Sequence, residues 1–285
     1  MKKMTKLCAL VLALAMMFAL ASCGSSSSTN SAASSGSSAD ASTSSTAGDS
    51  DLAYVQEKGK LVVGITDFEP MDYKDSDGNW IGFDADMATA FAESLGVEVE
   101  FVEINWDNKI LELNNSSIDC VWNGMTLTDE VTSSMECSNA YMNNTQVVVV
   151  GPEHKDATTI EQLSELSFAV ESGSAGQAMA EENNFDFTPV TAQADALMEV
   201  ASGTSDAAII DSLMAGAMVG EGTGYPDLEY TVSLNADEGE RYGVGFRKGS
   251  DLAAALNDFF ASSYADGSMQ TIAETYGVQA ALIEQ

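Results

Sequence analysis

The amino-acid sequence predicts an α/β protein with two lobes. From Leu61 onward, short apolar or β-branched runs that indicate strands alternate with segments whose apolar residues recur at helical spacing. This alternation is typical of mostly parallel sheets with helices on both faces. The pattern restarts near Val147, which predicts a second sheet. Residues 52–285 are long enough for a substantial core, as one large domain or as two small lobes.

The elements of the first half follow from local patterns. Met87, Ala88, Phe91 and Leu95 share one helical face, and Gly96 ends that helix. Thr128 is a suitable cap for a later short helix. The predicted strands span 61–66, 97–104 and 118–122, and the predicted helices span 84–94, 109–115 and 128–135.

The second half repeats the same kinds of pattern before the chain returns. Its predicted strands span 146–150, 167–171, 187–190 and 207–211. Its predicted helices span 159–163, 174–183, 195–202 and 213–219. A strand over 242–247 and helices over 252–265 and 268–276 complete the predicted order.

Residues 1–22 have the pattern of an export signal. A basic start precedes an apolar run from Leu7 to Leu20 that is short for a membrane span. A plain secretory signal or a buried first helix would share these features. Ala21-Ser22-Cys23, however, resembles the bacterial lipobox, which implies that Cys23 receives a diacylglyceryl group with acyl chains such as palmitate. Two acyl chains anchor a protein stably to a membrane.

Residues 23–51 follow as the lipidated cysteine and a segment rich in Ser, Ala and Thr. The segment lacks large apolar side chains, so it cannot bury enough surface to offset the entropy of ordering. We expect a flexible tether with a reach of about 30 Å.

The charge and the metal-ligand types exclude several classes of function. The chain has 44 acidic and 11 basic side chains, and such a surface repels nucleic acids. One His and no Cys-x-x-Cys spacing argue against zinc, and we expect no cofactor. Cys120 and Cys137 could be neighbours in an exported protein, either as a disulfide or as two buried free thiols.

Several motifs follow one another in a fixed order along the chain. The most specific is Gly-Phe-Asp-Ala-Asp-Met-Ala at 82–88. The others lie at 61–67, 118–128, 206–211, 242–249 and 265–268. Together they resemble the polar-amino-acid solute-binding proteins of ABC importers (bacterial extracellular solute-binding proteins, family 3), and the resemblance covers nearly all of residues 55–278. It implies the two-lobed periplasmic-binding-protein type II fold, with lobe 1 at 52–144 and 235–285 and lobe 2 at 145–234. The lobes would close on a ligand about a hinge of two crossings.

Asp211 is the strongest candidate for binding a ligand. It ends an otherwise apolar strand, and the carboxyl ends of parallel strands face the crevice where α/β proteins bind ligands. The resemblance implies that Asp211 pairs with the ligand's ammonium group. The alternative is an N-cap of the following helix.

The resemblance implies further contacts from turns and from aromatic walls. Backbone and hydroxyl groups of two turns would hold the ligand, and two aromatic side chains would pack against it. Ordinary turn chemistry and core packing are the alternatives. The candidates are Asn123, Gly124 and Thr126, then Gly173, Ser174 and Ala175, with Phe68 and Trp106 as walls.

The sequence departs from the family pattern at Val131, where the family's amino-acid binders carry an Arg that clamps the ligand carboxylate. Asp129 and Glu130 precede it, and Arg241 and Arg247 lie in the return strand, where we expect them on the surface. Helix-terminal amides could hold the carboxylate alone. Lys109 could supply the charge, unless it lies on a solvated helix face. The ligand could also lack an α-carboxylate.

Three function classes fit the fold. The first is a monomeric transport receptor, lipid-anchored outside the cytoplasm, that captures an amino acid or a related amine and delivers it to an ABC permease and its ATPase. The second is a cyclohexadienyl-dehydratase-like lyase, which needs a general acid, whereas His154 lies in an expected surface loop. The third is a surface adhesin or sensor. The sequence favours the receptor over an enzyme.

Overall fold

Residues 50–236 and 239–285 are described by a computed structural model of the protein. The predicted signal at 1–22, the lipidation at Cys23 and nearly all of the predicted tether lie outside the described residues. The described helices are α1 Asp51–Lys58, α2 Phe83–Ser94, α3 Lys109–Asn114, α4 Asp129–Ser134, α5 Ile160–Leu163, α6 Ala175–Glu182, α7 Gln193–Ser202, α8 Ser212–Met218, α9 Leu252–Asp266 and α10 Ser268–Thr275.

The described strands are shorter on average than the helices. They are β1 Lys60–Ile65, β2 Tyr73–Lys74, β3 Trp80–Ile81, β4 Glu98–Glu103, β5 Cys120–Val121, β6 Glu136–Cys137, β7 Met142–Asn144, β8 Gln146–Val150, β9 Ser167–Glu171, β10 Asp186–Val190, β11 Ala207–Asp211, β12 Glu229–Ser233, β13 Glu240–Tyr242 and β14 Gly245–Phe246.

Two five-stranded sheets carry most of the architecture. The strand order is β4-β1-β5-β14-β6 in the first sheet and β10-β9-β11-β8-β12 in the second. In each sheet four strands run in one direction and one strand, β14 or β8, runs in the opposite direction. The predicted α/β class with mostly parallel sheets is confirmed.

The chain passes between the two sheets twice, and the two passages lie side by side. Strands β7 and β13 form an antiparallel ribbon in which Asn144 faces Glu240. Strand β7 leads into the reversed strand β8, and β13 leads into the reversed strand β14. The predicted lobe boundaries fall at or beside this ribbon. That the lobes move as separate units stays a prediction.

The central strands are apolar because both of their faces are covered. All five residues of β8 and all five of β11 are buried, as are the last five residues of β1. Buried parallel strands show such continuous apolar runs. Carboxylates at the ends of these strands are therefore exceptions to the pattern, and β9 and β11 each end in one.

Some elements differ from the prediction for local reasons. Helix α1 was not predicted, and Val55 is its only buried residue. The predicted strand 242–247 is two strands instead. Its first part pairs with β7 and its second part pairs with β5 and β6, and Gly243 between them packs against the side chain of Leu127.

Cys120 and Cys137 are free thiols, so the disulfide left open by the sequence is not formed. Both residues pair with β14, Cys120 opposite Phe246 and Cys137 opposite Gly245. Strand β14 therefore lies between them. Neighbouring strands are about 4.8 Å apart, so the two Cα atoms are separated by about 9–10 Å. A disulfide requires less than about 7 Å.

Candidate functional site

A cavity of about 290 Å³ lies at the carboxyl ends of strands from both sheets. Nine of the ten residues predicted to contact a ligand line it. From the first half of the chain these are Trp106, Lys109, Asn123, Gly124 and Thr126. From the second half they are Gly173, Ser174, Ala175 and Asp211. Their contact with a ligand stays a prediction.

Asp211 is a buried carboxylate held by amide groups. Its Oδ1 accepts hydrogen bonds from the side-chain amides of Asn144 and, at 2.8 Å, Gln146. Its Oδ2 accepts one from the side-chain amide of Gln193. Burial, and then the nearby charge of Glu240, raise the pKa of Asp211 to about 7. A cation in the cavity would favour its ionised form.

The alternative role of Asp211 as a helix cap is not seen. It occupies the N-cap position of α8, but its side chain makes no capping hydrogen bond. Both carboxylate oxygens are used by amides instead. The side chain is therefore positioned by the crossings and by α7, and it faces the cavity.

The turn after β5 is held by its own hydrogen bonds. Asn123 bonds Thr66 through both ends of its amide, at 2.9 and 2.8 Å. The backbone N–H of Gly124 donates to Oδ2 of Asp84 at 2.7 Å, so it is already in use within the protein. Thr126 Oγ1 donates to Oε2 of Glu240 at 3.1 Å. Fewer donors of this turn are free than the resemblance implies.

Phe68 is the predicted residue that lies outside the cavity lining. It is buried, and its ring makes an edge contact with Tyr242 at 6.4 Å between centroids. A Cβ at position 124 would lie 2.3 Å from Cε1 of Phe68. Phe68 therefore packs directly beneath Gly124, where only glycine fits.

Trp106 and Lys109 form the wall on the side of the first sheet. Nζ of Lys109 donates to the carbonyl oxygen of Trp106 at 3.3 Å and lies 4.8 Å from the centroid of its ring. The same ammonium donates to the carbonyl oxygen of Gly173 at 2.8 Å. Burial lowers the pKa of Lys109, against the raising effect of Glu171 and other acids nearby. Lys109 is thus not on a solvated helix face.

The opposite wall is the start of α6. The hydroxyl of Ser174 accepts a hydrogen bond from the backbone N–H of Gln177 at 3.1 Å and so caps the helix. Gly173 has a φ of +73°, and its N–H donates to Oε1 of Gln177 at 2.9 Å. Ser174 and Ala175 both reach the cavity from this capped turn.

At position 131, where the family pattern has an arginine, the neighbouring residues are acidic. Val131 is buried in the lining, next to Asp129 and Glu130. Among the residues that the structure describes, no arginine lines the cavity.

The two arginines of the return segment lie away from the cavity. Arg241 is exposed, as expected. Arg247, expected on the surface, instead pairs with Asp51 at 3.0 Å and donates to the carbonyl of Ile118.

Glu171 and Gln193 are lining residues that the sequence did not single out. Glu171 ends β9 after an apolar run, which is the same signal that identified Asp211. Burial, and then the charge of Asp211, raise the pKa of Glu171 to about 8. Gln193 binds Asp211 through both ends of its amide, and no local pattern would have revealed this contact.

Three further features of the described residues concern metal sites, membrane spans and the single histidine. No group of His, Cys, Asp and Glu in it could hold a metal ion. None of its helices is long and apolar enough to cross a membrane. His154 lies outside the cavity lining and pairs with Asp206 at 3.3 Å.

Comparisons with known proteins agree on one kind of protein. A model of the bacterial extracellular solute-binding proteins, family 3, matches residues 61–279. The arginine-binding extracellular protein ArtP of Bacillus subtilis (strain 168) is 27% identical over 231 residues, which are 79% of this chain and 89% of ArtP.

Solved structures show the same fold. An ABC uptake transporter substrate-binding protein from Streptococcus pneumoniae with bound histidine matches with a TM-score of 0.74 and 30% identity, over 82% of this chain and 98% of that chain. An ancestral amino acid-binding protein, a precursor of cyclohexadienyl dehydratase, matches with a TM-score of 0.72 and 30% identity, over 80% and 99%. The two-lobed periplasmic-binding-protein type II fold is confirmed.

Proposed function

Because the chain belongs to the bacterial extracellular solute-binding proteins of family 3, we propose that it captures an amino acid or a related amine and delivers it to the permease and ATPase of an ABC importer. Asp211 carries this proposal. It presents a buried, amide-held carboxylate to a cavity of amino-acid size, and a carboxylate there would bind a ligand's ammonium group.

Delivery requires a difference between the free and the bound protein. The cavity is built from two sheets joined by the ribbon of β7 and β13, so a ligand that contacts both walls would stabilise one arrangement of the two. The importer would recognise that arrangement. Family membership places the protein outside the cytoplasm.

The chain also carries the pattern of a membrane anchor. The Ala21-Ser22-Cys23 pattern favours a lipidated Cys23, and residues 24–51 favour a tether that lets the globular part reach its permease. Metabolic labelling with a clickable palmitate analogue, compared with Cys23→Ala, would test this. Equal labelling of both proteins would argue against the anchor.

Binding rather than catalysis is favoured by the cavity. A lyase acting on a cyclohexadienyl acid needs a general acid, a role that the raised pKa of Glu171 would allow, and also a clamp for the substrate's carboxylate. Lys109 is the single basic side chain in the described lining, and its ammonium is held by two carbonyl groups. The relatives reported above are also named as binding proteins.

A thermal-shift screen of the purified full-length protein would test the function. The panel contains the common amino acids, simple amines and short peptides. A ligand that binds the folded state raises the unfolding midpoint by mass action. We expect at least one amine-bearing solute to do so. No shift with any solute would contradict the proposal.

A further inference from the structure

Glu171 is a second carboxylate in the cavity, one strand away from Asp211. Strands β9 and β11 are parallel neighbours, with Val170 opposite Ile209. Glu171 and Asp211 end these two strands, so both carboxylates lie at the same sheet edge and both line the cavity. They are 2% and 4% exposed, respectively.

The two carboxylates differ in the hydrogen bonds that their oxygens accept. Both oxygens of Asp211 accept hydrogen bonds from side-chain amides. Oε1 of Glu171 is buried and has no hydrogen-bond partner within residues 50–236 and 239–285. A buried oxygen of this kind is costly unless something else, such as a ligand, satisfies it.

The cavity also has more acids than bases. Asp129 and Glu130 line it together with the two buried carboxylates. Lys109 is the one basic residue in its described lining, and its ammonium donates to the carbonyl oxygens of Trp106 and Gly173 rather than to Glu171. A ligand with a single ammonium on Asp211 would leave the Glu171 oxygen unpaired.

We propose that Glu171 is a specificity-determining residue that binds a second positive charge on the ligand. The inference rests on the proposed function and narrows it, since the solute becomes one with two cationic groups joined by a short aliphatic chain. Basic amino acids and alkyl diamines share this chemistry. The latter lack the carboxylate for which the lining offers no arginine clamp.

Matched ligand pairs that differ by one positive charge test the proposal. The pairs are L-arginine with L-citrulline, L-lysine with L-norleucine, and 1,5-diaminopentane with 1-aminopentane, titrated calorimetrically into the full-length protein. The doubly cationic member of at least one pair should bind at least about 30-fold more tightly, as expected for a buried charge pair. The diamine pair separates ligands without a carboxylate from amino acids.

Glu171→Gln keeps the size of the side chain and removes its charge. Glu171→Gln should abolish the preference for the doubly cationic ligand, because it lowers the affinity for that ligand and leaves the affinity for the singly charged member of the pair unchanged. Glu165→Gln is the matched control, because Glu165 is exposed and lies outside the cavity lining, and it should keep the preference. Glu171→Asp keeps the charge and should retain part of the preference. Thermal unfolding of each free variant checks its folding.

The outcomes separate this inference from the proposed function. If Glu171→Gln weakens both members of a pair equally, Glu171 shares a single ammonium with Asp211 and the inference is wrong. If the wild-type protein prefers neither member, or binds only solutes with one positive charge, the inference is wrong and the proposed function stands. If no small solute binds, both are wrong.

Discussion

Lys109 and Gly173 are joined by a hydrogen bond of 2.8 Å between the ammonium of one and the carbonyl oxygen of the other. Lys109 begins α3 beside the first sheet, and Gly173 follows β9 of the second. The approach is close, because a Cβ at position 173 would lie 2.9 Å from Cα of Asp107. The two walls of the cavity therefore touch at this point.

This contact predicts the effect of removing the ammonium. Lys109→Met should weaken the binding of all ligands by a similar factor of about 10 to 150, because a hydrogen bond to a charged group contributes about 1.5–3 kcal/mol. Calorimetry with an amino acid and with its decarboxylated amine measures the effect. If the loss is confined to the amino acid, Lys109 binds the ligand's carboxylate instead.

Asp211→Asn should reduce the affinity for every amine ligand by at least about 100-fold, since it removes the charged partner of a buried ion pair. The asparagine oxygen can keep the bonds from the side-chain amides of Asn144 and Gln146, and only the Gln193 amide loses its acceptor, so the variant should fold. Asp186→Asn is the control, because Asp186 is exposed on β10. Unchanged affinity in Asp211→Asn would place the ammonium elsewhere.

The affinity for cationic ligands should rise with pH. Asp211 has a pKa of about 7 and Glu171 a pKa of about 8 in the free protein, each raised first by burial. Below these values a bound cation must displace protons, which costs up to about tenfold in affinity per pH unit and per proton. Titrations from pH 6 to pH 8 should show this gain, and Glu171→Gln should make it smaller. A flat profile in the wild-type protein would contradict it.

The stability of the free protein should fall as pH rises, whereas the affinity for cationic ligands should increase. Carboxyl groups whose pKa is raised on folding bind more protons in the folded state than in the unfolded state. Their contribution to the free energy of unfolding therefore decreases as pH rises from about 4 to about 8. Asp84, also with a pKa of about 7, contributes alongside Asp211 and Glu171. Denaturant unfolding at pH 5.5 and at pH 8 measures this decrease in the free energy of unfolding. The decrease should be smaller in Glu171→Gln than in the wild-type protein.

A reductant should not change the unfolding temperature. Cys120 and Cys137 are free and are separated by β14, so no disulfide constrains the unfolded chain. Burial raises the pKa of both thiols, most strongly for Cys120, which should react with an alkylating agent only after unfolding. If a reductant lowers the midpoint of thermal unfolding, a disulfide is present and the two cysteines are not separated by β14.

Much of the fold follows from local patterns. Helix α2 was predicted because Met87, Ala88 and Phe91 recur at helical spacing, and all three are buried. Strand β11 was predicted from its apolar run and spans the expected residues. Short paired elements were missed. Strands β2 and β3 have two residues each and depend on each other rather than on any periodicity.

The residues of the cavity also divide into those that a local sequence pattern predicts and those that depend on contacts in space. Asp211 could be chosen from the sequence because a charge at the end of an apolar strand is a local signal. Glu171 carried the same signal, but its unpaired oxygen depends on which groups surround it in space. Phe68 was expected to face a ligand, yet it packs under Gly124, because the turn brings the two together across the chain.

The sequence by itself determined the alternation of strands and helices, the restart that makes a second sheet, and the buried acid at position 211. These depend on side chains close together along the chain. Only the tertiary structure decided that Glu171 lies beside Asp211, that Lys109 binds Gly173, and that β14 separates Cys120 from Cys137. The physical reason is strand pairing over long sequence distances, which sets the neighbours of each group and therefore its charge and hydrogen bonds.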